Sequence, residues 1–402
     1  MRRLLLCGAM KPAPPSALRL AIGGMVAMAV AMGIGRFIYT LILPGMMEEL
    51  NLSAAGAGWI ASANYLGYLA GALASAGGWA HGRERFVMLA GLGATALLAG
   101  LMGMTDWMPA FLVIRFLAGV ASAFVLIFLS SIVMSHMAAL GRPDLQAAHF
   151  AGVGAGIALS SALMAVLVAL HSGWRAGWFL AAAVSALGFV PVARLIDRGP
   201  PAHGQAAREP ALAWSAPLVK VIVGYGLFGI GYVVTATFLI AIVRQQGGGG
   251  VFEAMVWLAT GVAVVPSLGL WQGPGRRLGL HGAYLAACAV EAAGVAASVS
   301  MGGTAGPLLG GVLLGLTFIA LTALGLQAGR LLAPAAPRRV LALMTASFGV
   351  GQIVGPIAAG MLAERSGSFF LPSLAAAAVL MMSGLIVWSA TGKSPADGAG
   401  RG

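Results

Sequence analysis

Long apolar stretches alternate with short polar interruptions along almost the whole chain. Twelve stretches stand out: 18–46, 55–79, 86–104, 108–137, 147–170 and 174–195, then 217–244, 251–272, 281–301, 304–332, 340–363 and 369–391. Each is close to or above the roughly 20 residues that a helix needs to cross the hydrocarbon core of a bilayer. None alternates with a period of two, so the pattern predicts an all-α chain of twelve spanning helices. Residues 196–216 break the series with Asp197, Arg198, Arg208, Glu209 and the prolines at 200, 201 and 210. They read as a polar linker. The expected organisation is a tail over 1–17, a six-helix bundle over 18–195, the linker, a second six-helix bundle over 217–391 and a tail over 392–402.

The second half echoes the first. Gly33-Ile34-Gly35-Arg36-Phe37-Ile38-Tyr39-Thr40 in span one returns 196 residues later as Gly229-Ile230-Gly231-Tyr232-Val233-Val234-Thr235. Arg115-Phe116-Leu117-Ala118-Gly119 in span four has Gly311-Val312-Leu313-Leu314-Gly315 in span ten at the same offset. Gly152-Val153-Gly154 is matched by Gly349-Val350-Gly351 at an offset of 197. One offset recurring in three places implies two parallel six-helix repeats, a plan that transporters build around a midplane cavity.

Composition agrees and narrows the choices. The 402 residues are 60% hydrophobic and only 8% charged, against roughly 25% charged in soluble domains. Water is therefore not the solvent for most of this surface. A net charge of +12 invites a nucleic-acid reading, but the basic residues lie between apolar runs and not in one patch. Of the 23 Lys and Arg, 18 fall on one side, three on the other (Arg175, Arg244, Arg365) and two within spans (Arg36, Arg115). That asymmetry places both termini in the cytosol. The expected location is the bacterial inner membrane, with the lipid bilayer as partner and no nucleic acid. Cys7 and Cys288 are too far apart in setting to imply a disulfide framework.

The segment Arg115-Phe116-Leu117-Ala118-Gly119-Val120-Ala121 resembles the RxxxGxG/A element of the major facilitator superfamily, and the likeness extends over the whole chain. The family's basic loop signature after spans two and eight is worn down here. The first copy reads Gly77-Gly78-Trp79-Ala80-His81-Gly82-Arg83-Glu84-Arg85, without its aspartate. The second reads Gly269-Leu270-Trp271-Gln272-Gly273-Pro274-Gly275-Arg276-Arg277. The resemblance marks Arg83, Arg85, Arg276 and Arg277 as gating-loop candidates. Gly351-Gln352-Ile353-Val354-Gly355-Pro356 resembles the family's glycine-proline antiport element, but falls in span eleven and so gives no direction. Within the superfamily, GIGRFIYTLILP and WIASANYLGYLAGAL resemble the YbfB/YjiJ-like group of bacterial transporters, which implies no settled substrate.

An arginine in a spanning helix costs several kcal/mol or more, so Arg36 and Arg115 lead the candidate site. The resemblance implies that spans one, four, seven and ten line the path. Helix rise puts both guanidiniums at similar depth in the outer half. Two arginine forks there suit a carboxylate, phosphate or sulfonate; alternatively each pairs with backbone carbonyls and only shapes the bundle. Tyr39 shares a face with Arg36. Tyr232 and Thr235 would form a neutral wall in the second half, with Gln352 beside it. Asn64 is either glue between helices or a ligand contact. Tyr65 and Tyr68 share its face and read as packing. Glu291, the one carboxylate well inside a span, is the candidate for proton coupling, with a structural role as its alternative.

His136, His149, His171 and His281 lie near helix ends and read as interfacial or capping groups. Asp106, Glu48, Glu49 and Glu364 read as solvated charges of the outer loops. Gly247-Gly248-Gly249-Gly250 reads as a flexible outer loop without the lysine and strand of a phosphate loop.

These features predict a secondary transporter that moves a small organic solute, an organic anion or an amphipathic molecule, by alternating access as a proton-coupled symporter or antiporter. The expected working unit is a monomer, without cofactor or metal. Drug or toxic-compound efflux by the same fold is the first alternative, favoured by 20 methionines. A membrane sensor or embedded enzyme is the second. No nucleophile–base or metal-ligand constellation appears in the spans to support it.

Overall fold

A computed structural model describes residues 17–77, 79–142, 148–197 and 209–390. The tail with Cys7, the middle of the linker and the tail after 390 lie outside the described residues. Everything long in the described chain is helical.

Span one is not a plain helix. Helix α1 (Ala17–Met28) widens into a π-helical turn over Ala29–Ile34, opens at Gly35–Phe37 and resumes as α2 (Ile38–Glu49). The Gly35 N–H reaches back five residues to Val30 O at 2.8 Å, and the Phe37 N–H to Met32 O at 3.1 Å. Such wide turns insert an extra residue and re-aim the next segment of helix, often at functional sites. Gly33 and Gly35 explain why it occurs here. Each weakens the helix by about 1 kcal/mol relative to alanine. Gly33 also lies against the Gly156 backbone, where a side chain would collide.

Spans two to twelve are α3 (Ala54–Ser75), α4 (Glu84–Met102), α5 (Met108–Ala139), α6 (Ala151–Ala169), α7 (Trp174–Leu195), α8 (Ala216–Gln245), α9 (Gly250–Leu270), α10 (Gln272–Ser300), α11 (Ala305–Leu332), α12 (Pro337–Ser366) and α13 (Phe370–Trp388). Their starts carry the expected chemistry. Ser53 Oγ accepts the Gly56 N–H at 3.1 Å, and Ser215 Oγ accepts the Leu218 N–H at 3.3 Å, filling orphan donors of α3 and α8. Gly367, with φ of 71°, ends α12.

Eleven of the described helical segments are both long and apolar enough to cross a membrane. The twelfth, α3, spans 22 residues but is diluted by Ser62, Asn64, Tyr65, Tyr68 and glycines along its length. It can carry them because it packs into protein. A second departure lies at span nine, expected from 281. The helix begins at Gln272, and Gly279, with φ of 69°, separates a short first segment from the long one. Arg276 and Arg277 therefore sit on a helical turn and not in an open loop.

The two halves meet along antiparallel pairs, α3 on α12 and α6 on α9. Small residues permit the approach. A Cβ at Gly58 would strike the Pro356 carbonyl, and Gly154 and Gly261 face each other's backbone. Hydroxyls add hydrogen bonds across the seam: Ser62 Oγ donates to Ile353 O at 2.7 Å, and Thr40 Oγ1 to Ala236 O at 2.5 Å.

At the predicted outer face, Arg244 of α8 forms a two-pronged pair with Glu253 of α9, both contacts 2.7 Å, and reaches Glu48 of α2 in the other half at 3.0 Å. Asp106 pairs with Arg175 at 2.5 Å. Glu48 and Asp106 are thus ion-paired, which corrects their reading as merely solvated loop charges. Proximity across the halves and between loops, invisible in local sequence, is the reason.

Candidate substrate site

The site grows from the break in span one. Opening the helix there frees backbone carbonyls that need donors, since hydrocarbon offers none. Arg115 of α5 supplies them: its Nη1 donates to Gly35 O at 3.2 Å and its Nη2 to Arg36 O at 3.4 Å. Its guanidinium also lies 5.1 Å from the Tyr39 ring centroid and 5.8 Å from that of Trp178. Asn64 Nδ2 donates in turn to Arg115 O at 3.0 Å, tying α3 to α5. The close approach of these helices is set by Gly67 and Gly119, where any side chain would meet backbone.

Arg36 is placed differently. Only 6% exposed, it lies among rings, 4.7 Å from the Tyr65 centroid, 4.6 Å from Tyr68 and 5.8 Å from Phe37. The ring faces offer it cation–π attraction. Its Nε and Nη2 nevertheless find no hydrogen-bond acceptor. Buried donors of a charged group are expensive to leave idle, so this is the least satisfied point of the bundle's centre. The Tyr39 hydroxyl, by contrast, donates to Ala57 O at 2.9 Å.

The second half faces Arg36 with a neutral, aromatic surface. Tyr232 stands at the position equivalent to Arg36 in the repeat. Its ring runs nearly parallel to Phe318 of α11 (6.0 Å, 4°) and Phe348 of α12 (5.5 Å, 5°). Gln352 Nε2 donates to the Tyr232 hydroxyl, while Gln352 Oε1 and Thr235 Oγ1 have no partner.

Glu291 of α10 is fully buried. Thr317 of α11 donates to its Oε2 at 2.8 Å, and its Oε1 is without a partner. Among the described residues no cation is paired with it. The carboxyl of α10, a helix expected to stand off the path, thus meets α11.

The structure therefore brings Arg36, Tyr39, Asn64 and Arg115 together at the break, and sets Tyr232, Thr235 and Gln352 in the half opposite. It leaves the gating-loop candidates elsewhere. Arg85 donates to Ala193 O at 2.6 Å and Ile196 O at 2.7 Å, capping the end of α7. Arg83 is exposed, as are Arg276 and Arg277. Arg276 borders a cleft of about 380 Å³ with Trp271, Gln272 and Gln327. His149, read from sequence as interfacial or capping, is fully buried with Nε2 3.2 Å from Ser130 Oγ. His136 bonds within its own helix, to Ile132 O at 2.9 Å, and His171 sits in a turn with φ of 54°.

Sequence reasoning missed Phe318, Phe348 and Trp178. A phenylalanine in an apolar run carries no mark of which way it faces. Among the described residues, no group of three His, Cys, Asp or Glu side chains could hold a metal ion.

Comparison with known proteins bears on the fold and the family. No curated protein sequence matches the chain. Among solved structures, a single-residue variant of the nucleoside transporter NupG aligns with a TM-score of 0.72 at 13% identity, covering 93% of this chain and 100% of its own. A bacterial homologue of the human lysosomal transporter Spinster, inward-facing and unoccupied, aligns at 0.70 and 12%, covering 94% and 97%. The POT family transporter PepTSo aligns at 0.69 and 13%, covering 94% and 98%. These likenesses show that the chain shares the fold of those structures. The family described as uncharacterised MFS-type transporter YbfB matches residues 28–388, and with nine-tenths of its length inside that match the chain belongs to this family of membrane transporters.

Proposed function

We propose that this transporter carries a small organic anion across the bacterial inner membrane, with Arg36 as the group that binds the negative charge. The observation behind this reading is the pair of idle donors, Nε and Nη2, on a buried guanidinium at the helix break. Arg115 offers less. Its terminal nitrogens are engaged with Gly35 O and Arg36 O, so its part is to hold the break open and position Arg36. A carboxylate entering between the halves would complete the bonding of Arg36, and a fork of two donors matches its two oxygens. Transport then comes from rocking of the halves about this centre. Efflux of lipophilic cations would instead bring positive charge toward two buried arginines.

Glu291 supplies the coupling in this scheme. Its free Oε1 and its contact with Thr317, the residue before Phe318, support this role. Binding of the anion and the charge on Glu291 then influence each other across the site. The cytosolic placement of both termini and a monomeric working unit complete the proposal, supported by the basic-residue asymmetry and by a path contained in one chain.

The test is thermal stabilisation of the purified protein by small carboxylates, with Arg36→Ala in parallel. A ligand at 100 times its dissociation constant should stabilise by about 2.7 kcal/mol. An anion response lost in Arg36→Ala supports the reading. Stabilisation by cations alone, undiminished in the variant, overturns it.

A further inference from the structure

We infer that the anion is borne on a flat, aromatic ring. This deepens the anion reading of Arg36 and rests on it, moving from the charge of the substrate to its shape.

Three near-parallel rings, Phe318, Tyr232 and Phe348, come from three different helices of the second half, α11, α8 and α12. Phe228 stacks on Tyr232 at 5.1 Å and 30°, and Phe37 meets Phe318 edge-on at 5.8 Å and 67°, joining the row to the residue next to Arg36. Packing of unrelated apolar side chains does not require rings from two other helices each to lie within 5° of the Tyr232 plane. Aromatic pairs gain from offset stacking, and an inserted planar ring inherits that gain at parallel faces. A saturated ring or a flexible chain does not.

Beside the row, Phe37, Tyr232, Trp257 and Phe318 close on one another together with four non-aromatic side chains, leaving no space for even a water molecule, so a ring would enter there only as the halves rock apart. The Arg36 guanidinium lies 5.8 Å from the Phe37 ring, which itself meets Phe318, so a ring seated against Tyr232 and Phe318 would direct its carboxylate toward the idle donors of Arg36. The polar atoms left over in this wall fit the same picture. Gln352 Oε1 and Thr235 Oγ1 are buried and unpartnered, one an acceptor and the other able to accept or donate. They would serve a hydroxyl or amino substituent on the ring. A buried charge, flat ring faces and two isolated polar groups together describe a substituted aromatic carboxylate, or an anion of like shape.

The experiment uses the purified full-length chain and pairs of probes matched in charge and size. Benzoate, 4-hydroxybenzoate and 2-naphthoate are each compared with the saturated-ring carboxylate, with benzamide as a neutral ring. Dissociation constants come from thermal-shift titration of the wild type, Arg36→Ala, Phe318→Leu and Tyr232→Leu. The expected result is a preference of about five-fold or more for at least one aromatic acid over its saturated partner. Phe318→Leu and Tyr232→Leu should bring that ratio close to one while still binding both acids, and Arg36→Ala should weaken both acids together. Equal binding of every pair by the wild type overturns the aromatic inference and leaves the anion reading standing. Benzamide binding as well as benzoate, with Arg36→Ala indifferent, overturns the anion reading and this inference with it, as does failure of every carboxylate to bind. The wild-type ratio decides the matter even where a leucine variant does not fold.

Discussion

Arg115 donates to the backbone carbonyls of Gly35 and Arg36, at 3.2 and 3.4 Å, while the Arg36 side chain itself keeps two donors idle. Two arginines that look equivalent in sequence thus divide the labour. One bonds the carbonyls of the broken helix and the other keeps donors unmet among aromatic rings.

Their variants should separate accordingly. Arg115→Ala strips donors from two buried carbonyls, and each such orphan costs about 1–3 kcal/mol. The expected outcome is a clear loss of thermal stability along with transport. Arg115→Lys should not rescue it, because one ammonium cannot reproduce the fork. Arg36→Ala should abolish uptake into proteoliposomes with little loss of melting temperature. Equal destabilisation by both substitutions would show that Arg36 too is only structural.

The ion cluster at the predicted outer face offers a graded test. Glu48 is 73% exposed at its side chain, so Glu48→Gln should change stability by only about 0–1 kcal/mol. Arg244→Ala also strands Glu253, whose side chain is 4% exposed, and should cost about 3 kcal/mol or more. Because Glu48 joins the two halves, its loss should still raise labelling of a cysteine placed near the outer end of α8. Labelling unchanged in Glu48→Gln would remove this contact from the closing of that face.

Glu291 can be examined by separating exchange from accumulation. Glu291→Gln keeps the shape and the Thr317 contact but cannot release a proton. Proteoliposomes should still exchange substrate across the membrane, yet fail to accumulate it when a proton gradient is imposed. Gradient-driven accumulation at the wild-type level would make Glu291 a packing residue.

Seam glycines should be intolerant of size. Gly58→Val would set a side chain against the Pro356 carbonyl, and overpacking of this kind costs about 1–3 kcal/mol. Lower melting temperature and weaker transport are expected together, whereas Gly269→Val, with open space around it, should be nearly silent. Similar losses from both would mean that helix propensity, not the seam, sets the cost.

Chain hydrophobicity by itself determined the helices and their order. Each spanning helix must satisfy its own backbone in hydrocarbon, so length and apolarity suffice to read it. The twelve stretches and the exceptional standing of Arg36, Arg115 and Glu291 within them were legible on that basis, whereas the repeat came from motifs matched at one offset and the family from the resemblance of segments such as Arg115–Ala121. Even the glycines flanking Arg36 announced a weak helix, though not that it would open into a π-helical turn. What only the tertiary structure decided was which groups meet. Arg115 ends on carbonyls and Arg36 does not, Glu48 finds Arg244 in the other half, and Phe318, Tyr232 and Phe348 align from three helices. These outcomes depend on the rotation of each helix about its axis. In a chain apolar on every side, the sequence pattern leaves that rotation unspecified, and packing of small residues at the helix contacts sets it instead.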